Sequence, residues 1–116
     1  SNDTYKMLTD ATIAKGIAEA GLLIVYEARY RENPEHHSKS FLALQQSKLK
    51  RSLDYFSSNT PSPTVTNLCS INLSCALSYL DFRKQIDWRT SHPDLETWLN
   101  RFSESEPAFF ATRRPE

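Results

Sequence analysis

Asn67-Leu-Cys-Ser-Ile-Asn-Leu-Ser-Cys-Ala-Leu-Ser-Tyr-Leu-Asp-Phe-Arg83 runs without Gly or Pro. Leu68, Ile71, Cys75, Leu77, Tyr79 and Phe82 make it largely apolar, the pattern of a helix with neighbours on several sides. The spacing predicts a helix over about 67–83 at the centre of a bundle. Asp81 and Arg83 close it, where a cation favours the helix dipole, and a structural ion pair between them is the expected reading. Cys69 and Cys75 are six residues apart, which sets them about 120° apart around the axis and about 9 Å along it. An internal disulfide is therefore not expected, no CxxC motif is present, and both thiols read as inert core groups.

Upstream of this helix, Ser57-Ser-Asn-Thr-Pro-Ser-Pro-Thr64 is polar and carries two prolines, so it reads as a connector. Before it, Leu42, Leu49, Leu53 and Phe56 fall on one stripe of a helix over about 38–56, with Lys48, Lys50 and Arg51 on the solvated side. Pro34 breaks the chain within Glu32-Asn-Pro-Glu-His-His37. The first helix is expected from about Asp3 to Arg31, capped by Asp3 or Thr4. Met7, Leu8, Ala11, Ala14, Ile17, Ala18, Gly21, Leu22 and Val25 recur there at helical spacing. Its second half, Gly21-Leu-Leu-Ile-Val-Tyr26, is apolar almost all round and predicts burial on several sides. Downstream, Ser91-His-Pro-Asp94 reads as a capping box opening a fourth helix, along which Leu95, Trp98, Leu99 and Phe102 form a stripe. A tail follows from Ser103 to Glu116.

Composition supports this reading. The 116 residues suit one domain with one core. Thirteen leucines stand against seven valines and isoleucines together, with two glycines, which favours helix over sheet. Fourteen basic residues balance fourteen acidic ones, which argues against a charge-driven nucleic-acid binder or a polybasic membrane module. No apolar run reaches the roughly 20 residues of a membrane helix. The N-terminus shows no basic-then-apolar leader, and Ser1–Asn2 reads as an expression-tag remnant preceding one domain over 3–116. A reduced, cytoplasmic location is expected.

The residues alone assemble no catalytic constellation. His36 and His37 lack a third ligand at useful spacing, and no Glu-x-x-His pair points to a metal carrier. His92 reads as a partly exposed structural residue. Lys15 and Glu19 interrupt the first helix at i,i+4 and suit a surface pair, or the wall of a cleft.

The order of the segments carries more information. Asn67 to Arg83, then Asp87-Trp-Arg89 and His92-Pro-Asp-Leu-Glu-Thr-Trp98, resembles the C-terminal helical domain of bacterial glutathione S-transferases. Gly16-Ile-Ala-Glu-Ala-Gly-Leu-Leu-Ile-Val-Tyr-Glu27 is similar to the first long helix of that domain. Phe102, Pro107-Ala-Phe109, Thr112 and Pro115 resemble its tail. The resemblance runs from about Met7 to Pro115. That family opens its central helix with a Ser/Thr-x-x-Asp box. Here Asn67 and Ser70 stand at the two positions, and Asn is itself a preferred cap. Glu106 and Ala108 replace the Arg and Ser often seen in the tail. Ala14 stands where some classes place a glutathione-contacting His, and Lys15 matches a residue next to it.

The resemblance implies an all-α bundle of four main helices plus a C-terminal tail, and the helical half of a two-domain protein. A thioredoxin-like domain of the same protein would supply the thiol-activating residue and most of the glutathione site. The segment before Asp3 leaves no room for that domain. The helical half would form the wall for a hydrophobic electrophile, with Ala11, Ala14, Lys15, Ala18 and Phe110 as candidate contacts, and part of a homodimer contact. Glutathione would be a co-substrate of the full-length protein, with no cofactor, metal or catalytic residue in this domain, which alone would be inactive. The competing expectation is a non-enzymatic interaction or assembly module.

Overall fold

The computed structural model describes residues 2–30, 39–83 and 86–106. The chain folds into four helices, α1 (Asn2–Tyr30), α2 (Lys39–Ser58), α3 (Leu68–Phe82) and α4 (Pro93–Ser105), with no strand among the described residues. Helix α3 packs along α1, α2 lies on the other flank of α1, and α4 closes one end against α2 and α3. The expected four-helix bundle is what forms.

Small residues decide how closely α1 and α3 approach. Ala11, Ala14, Ala20 and Gly21 are all buried on α1, with Ile17 and Ile24 between and beyond them. Opposite them stand Leu73, Ala76, Leu77 and Leu80 of α3. The approach is tightest at Gly21, where a Cβ would lie 2.7 Å from Leu80 Cδ2. Leu49, Leu53 and Phe56 of α2, and Leu95, Trp98, Leu99 and Phe102 of α4, complete one core. The stripes expected on α2 and α4 are the buried ones, with Leu42 packed half-buried at the edge.

On α3 the burial differs from the expected pattern. Leu68, Ile71, Cys75 and Phe82 are exposed, whereas Cys69, Ser70, Leu73, Ser74, Ala76, Leu77 and Leu80 face inward. Helical geometry accounts for this, because 68, 71, 75 and 82 share the face opposite 69, 73, 76 and 80. The two buried serines satisfy their hydroxyls locally, Ser74 Oγ donating to the Ile71 carbonyl at 3.0 Å. The helix is therefore one-sided, and its outer face carries apolar residues. The second half of α1 shows the same departure, since Leu22, Leu23 and Tyr26 are exposed.

Asn67 caps α3 through a closed reciprocal pair. Its Oδ1 accepts from the Ser70 backbone N–H at 3.0 Å, and the Ser70 hydroxyl accepts from the Asn67 N–H at 2.9 Å. Replacing Asn67 with Ala is expected to cost about 1 kcal/mol, the usual value of such a cap. A thermal melt should register this as a lowered midpoint, and an unchanged midpoint would contradict the assignment.

Three expected termini differ. Helix α1 begins at Asn2, so Asp3 sits in the first turn, where its charge suits the helix dipole, and does not cap it. Ser91 and Asp94 do not form a capping box, because α4 starts one residue later than expected, with His92 as N-cap and Pro93 in the first helical position. The shift puts Asp94 in the second helical position, out of reciprocal reach, and its Oδ1 accepts from Ser57 Oγ at 3.1 Å. Asp81 does not pair with Arg83. It takes a two-pronged bond from Arg89, at 3.0 Å from Nε and 2.6 Å from Nη2, while Arg83 lies against the Tyr79 and Phe82 rings.

That Arg89 contact organises the link between α3 and α4. Trp88 Nε1 also donates to Asp81 at 2.9 Å, and Arg89 Nη1 reaches Glu96 of α4 at 2.8 Å. The connector before α3 is tied to α4 as well, through Trp98 Nε1 to the Pro61 carbonyl at 2.8 Å and Ser105 Oγ to the Pro63 carbonyl at 2.6 Å.

Candidate functional site

The first half of α1 carries most of the expected contacts, and the structure separates them. Ala11 and Ala14 are 2% and 0% exposed and belong to the core, so they are not contacts for a co-substrate. A stripe of alanines serves close helix packing equally well, and here it does. Lys15 is exposed and Ala18 is half-buried against the core. Glu19 is also exposed, and no ion pair joins it to Lys15 among the described residues. Phe110, the tail from 107 onward, and His36 and His37 lie outside the described residues.

A hollow of about 360 Å³ does open beside this half of α1, between it, the connector and the start of α3. Lys6, Met7 and Asp10 line it from α1, Pro61 from the connector, and Asn67 and Cys69 from α3. Asp10 is the buried charge here, at 7% exposed. Its carboxylate accepts from Tyr55 Oη of α2 at 2.6 Å and from Lys6 Nζ at 2.9 Å, so neither oxygen is left without a donor. The bond to Asp10, then burial, pushes the Tyr55 hydroxyl above its ordinary pKa, and the same carboxylate raises that of Lys6.

None of Asp10, Tyr55 and Lys6 was singled out from the sequence. The i,i+4 spacing of Lys6 and Asp10 was the available signal, but Tyr55 is 45 residues away and supplies the bond that draws Asp10 inward. Lys6 and Asp10 offer hydrogen bonding at one wall of an open hollow, and Tyr55 anchors Asp10 from α2. The trio provides no activated nucleophile.

The two thiols sit in different settings. Cys69 is buried, and burial first, then the Asp10 charge, pushes its pKa up to about 11. It is therefore a neutral thiol at neutral pH. Cys75, expected in the core, is instead exposed on the outer face of α3, and burial of its sulfur still raises its pKa. A thiol-reactive disulfide reagent at pH 8 is expected to label Cys75 in the folded chain and Cys69 only after denaturation. Equal labelling of both would contradict this placement. Cys69 also implies a sign for alkaline stability. The folded state keeps a proton that the unfolded state releases near pH 9, so its contribution is complete below pH 9 and is lost as the pH rises towards 11.

At the other end of the molecule a second hollow, of about 320 Å³, lies between α1, α2 and the link from α3 to α4. His92, expected to be partly exposed, is buried at its edge, 7% exposed. His92 Nε2 lies 2.7 Å from Asp54 Oδ1, and Nδ1 lies 2.7 Å from Ser91 Oγ. No group of three or more His, Cys, Asp or Glu residues that could hold a metal occurs among the described residues. Nor, among them, is any helix long and apolar enough to cross a membrane.

This arrangement of helices has solved counterparts. A glutathione transferase family member from Pseudomonas fluorescens Pf-5, with bound S-(propanoic acid)-glutathione, superposes with a TM-score of 0.84 at 35% identity, over 96% of this chain and 57% of that one. A second structure from the same organism, with bound glutathione, gives 0.84 and 35% over 97% and 55%. The chain is glutathione S-transferase-like, with the fold of that family's C-terminal helical domain. The GST-like protein YibF of Escherichia coli K12, itself described as uncharacterized, is 33% identical over 106 residues, covering 82% of this chain and 52% of that protein. No family model matches the chain. The chain thus spans about half the length of the glutathione S-transferase-like proteins it matches.

Proposed function

We propose that this chain is the helical C-terminal half of a two-domain glutathione S-transferase-like protein, in which glutathione attacks a hydrophobic electrophile. The observation that carries this reading is the close superposition on just over half of a relative whose structure holds a glutathione adduct. In the intact protein a thioredoxin-like domain holds the tripeptide and stabilises its thiolate, and the helical half positions the electrophile against it. The lack of an activated thiol or hydroxyl in the hollow beside α1 fits that division of labour. Lys15 and Ala18 remain the wall residues of this reading.

The outer face of α3 supports the two-domain reading from a second direction. Leu68, Ile71, Cys75 and Phe82 form an apolar row that this chain leaves open. Such a row suits a surface covered in the intact protein, here by the thioredoxin-like domain. Two exposed apolar pairs on α1, Tyr5 with Leu8 and Leu22 with Tyr26, suit the contact between two copies in a homodimer. These exposed apolar residues also fit the alternative of a non-enzymatic assembly module. A cytoplasmic setting accords with two unpaired thiols.

Steady-state conjugation of glutathione to 1-chloro-2,4-dinitrobenzene separates the two readings. The full-length protein is expected to turn over and this chain alone is not, with Lys15→Ala raising the KM for the electrophile in the full-length form. A full-length protein with no turnover towards this or other electrophiles would leave the assembly role in its place.

A further inference from the structure

We propose that Ser91, His92 and Asp54 form a nucleophile–base–carboxylate relay that hydrolyses esters of short apolar acids at the hollow between α1, α2 and the α3–α4 link. The proposal does not rest on the assignment to glutathione chemistry.

The geometry orders the protons. Asp54 is paired through Oδ2 with Lys50 Nζ at 2.7 Å and through Oδ1 with His92 Nε2 at 2.7 Å. These two bonds, that of Lys50 the stronger, hold its carboxyl below the usual range, so at neutral pH it is ionised and only accepts. His92 Nε2 therefore carries the proton, which leaves Nδ1 with a free lone pair. Ser91 Oγ lies 2.7 Å from that nitrogen. Its hydroxyl proton has one other acceptor, the Trp88 carbonyl, at 3.2 Å. The shorter bond directs it to the imidazole. A nucleophile within reach of a base, with the base oriented by a third group, is the arrangement that activates serine.

The surroundings suit an ester. Ser91 is exposed, so an acyl group can reach it, while His92 is buried and held at both nitrogens. Ile24, Leu49, Leu53, Ile86 and Trp88 form the apolar lining, and Lys50 and Asp87 are the charged residues on it. A cavity of about 320 Å³ accepts a short acyl chain or an aryl leaving group. Lys50, held by Asp54, is the cation on the lining that could offset charge developing on a carbonyl oxygen.

The step balances without a co-reactant other than water. Ser91 Oγ bonds to the acyl carbon as its proton passes to His92 Nδ1, and the ester C–O bond breaks as His92 returns that proton to the leaving alkoxide. Water then attacks the acyl-serine, giving its proton to His92. The bond from the acyl carbon to Ser91 Oγ then breaks as His92 Nδ1 returns that proton to Oγ, which releases the acid and restores both residues.

The test is hydrolysis of p-nitrophenyl butyrate by the full-length protein that carries this chain, without glutathione. Turnover above the buffer rate is expected, falling about 100-fold or more in Ser91→Ala and in His92→Gln. Ser91→Ala should still fold cooperatively but melt somewhat lower, because the buried His92 Nδ1 loses its hydrogen bond, so its rate is read well below that midpoint. Asp54→Asn should lower kcat with little change in KM, because the carboxamide no longer fixes the proton on His92 Nε2. A fluorophosphonate should label Ser91, as read by peptide mass spectrometry. No turnover by the wild type, equal rates in the wild type and Ser91→Ala, or labelling elsewhere would overturn the proposal.

Discussion

Trp88→Ala is expected to lower the unfolding free energy by about 3–5 kcal/mol, the usual range for removing a buried indole from a core. Trp88 is 1% exposed and is the largest side chain among those fully buried. It lies in no helix, yet it joins the core cluster with residues of all four. Its loss opens a cavity at the base of the α3–α4 link, and the Arg89 guanidinium, 4.8 Å from the ring centroid, loses the face it covers. Asp81 keeps both bonds from Arg89, so no buried carboxylate is left without a partner, and the cavity dominates the cost. Urea unfolding followed by circular dichroism should show a much lower midpoint. Trp88→Phe should lose less, since most of the volume is retained. A Trp88→Ala midpoint within error of the wild type would contradict this account of the link.

Two glycines on one helix should respond with opposite signs to the same substitution. At a helix interior, Gly→Ala gains about 1 kcal/mol of propensity wherever space permits. A Cβ at Gly16 meets nothing nearer than Lys48 Cε at 3.7 Å, an ordinary contact, so Gly16→Ala should stabilise by about 0.5–1 kcal/mol. A Cβ at Gly21 meets Leu80 Cδ2 at 2.7 Å, with Tyr79 and Ile86 also near. Leu80 is wholly buried and has little room to retreat, and overpacking of that kind costs about 1–3 kcal/mol. The net for Gly21→Ala is therefore destabilising, by up to about 2 kcal/mol after the propensity gain is deducted. Paired thermal melts check this. Two shifts of the same sign would place the α1–α3 contact elsewhere.

These two cases also mark how far the sequence could be read. The four helices and their order follow from helical periodicity, two proline-bearing breaks and the near absence of glycine, all local signals. Which face of a helix turns inward is not local. Along α3 apolar residues occupy both faces, so periodicity alone could not say that Leu73 and Leu80 go in while Leu68 and Ile71 stay out. The capping box expected at Ser91 failed by one residue, because proline suits the first helical position and His92 took the cap. The alanines of α1 illustrate a different limit, since small residues can line a cleft or admit a neighbouring helix, and only the position of α3 decides.

Tertiary polar contacts were the least legible feature. Asp10 is drawn inward by Tyr55, and His92 meets Asp54 38 residues away. Nothing at either position in the sequence announces its partner. The Asp87-Trp-Arg89 motif contributed to the family resemblance without a stated mechanism. The structure supplies one, because Trp88 and Arg89 both fasten to Asp81 and so fix how α4 leaves α3.

The division of the protein into a glutathione-holding half and this helical half is the central claim, and the intact mass of the natural protein in its source cells tests it most directly. The account predicts a mass on the order of twice the 13.3 kDa of this chain, as two domains of ordinary size require. A natural protein of 13.3 kDa would contradict it, and would leave a helical domain whose exposed apolar residues on α1 and α3 serve assembly.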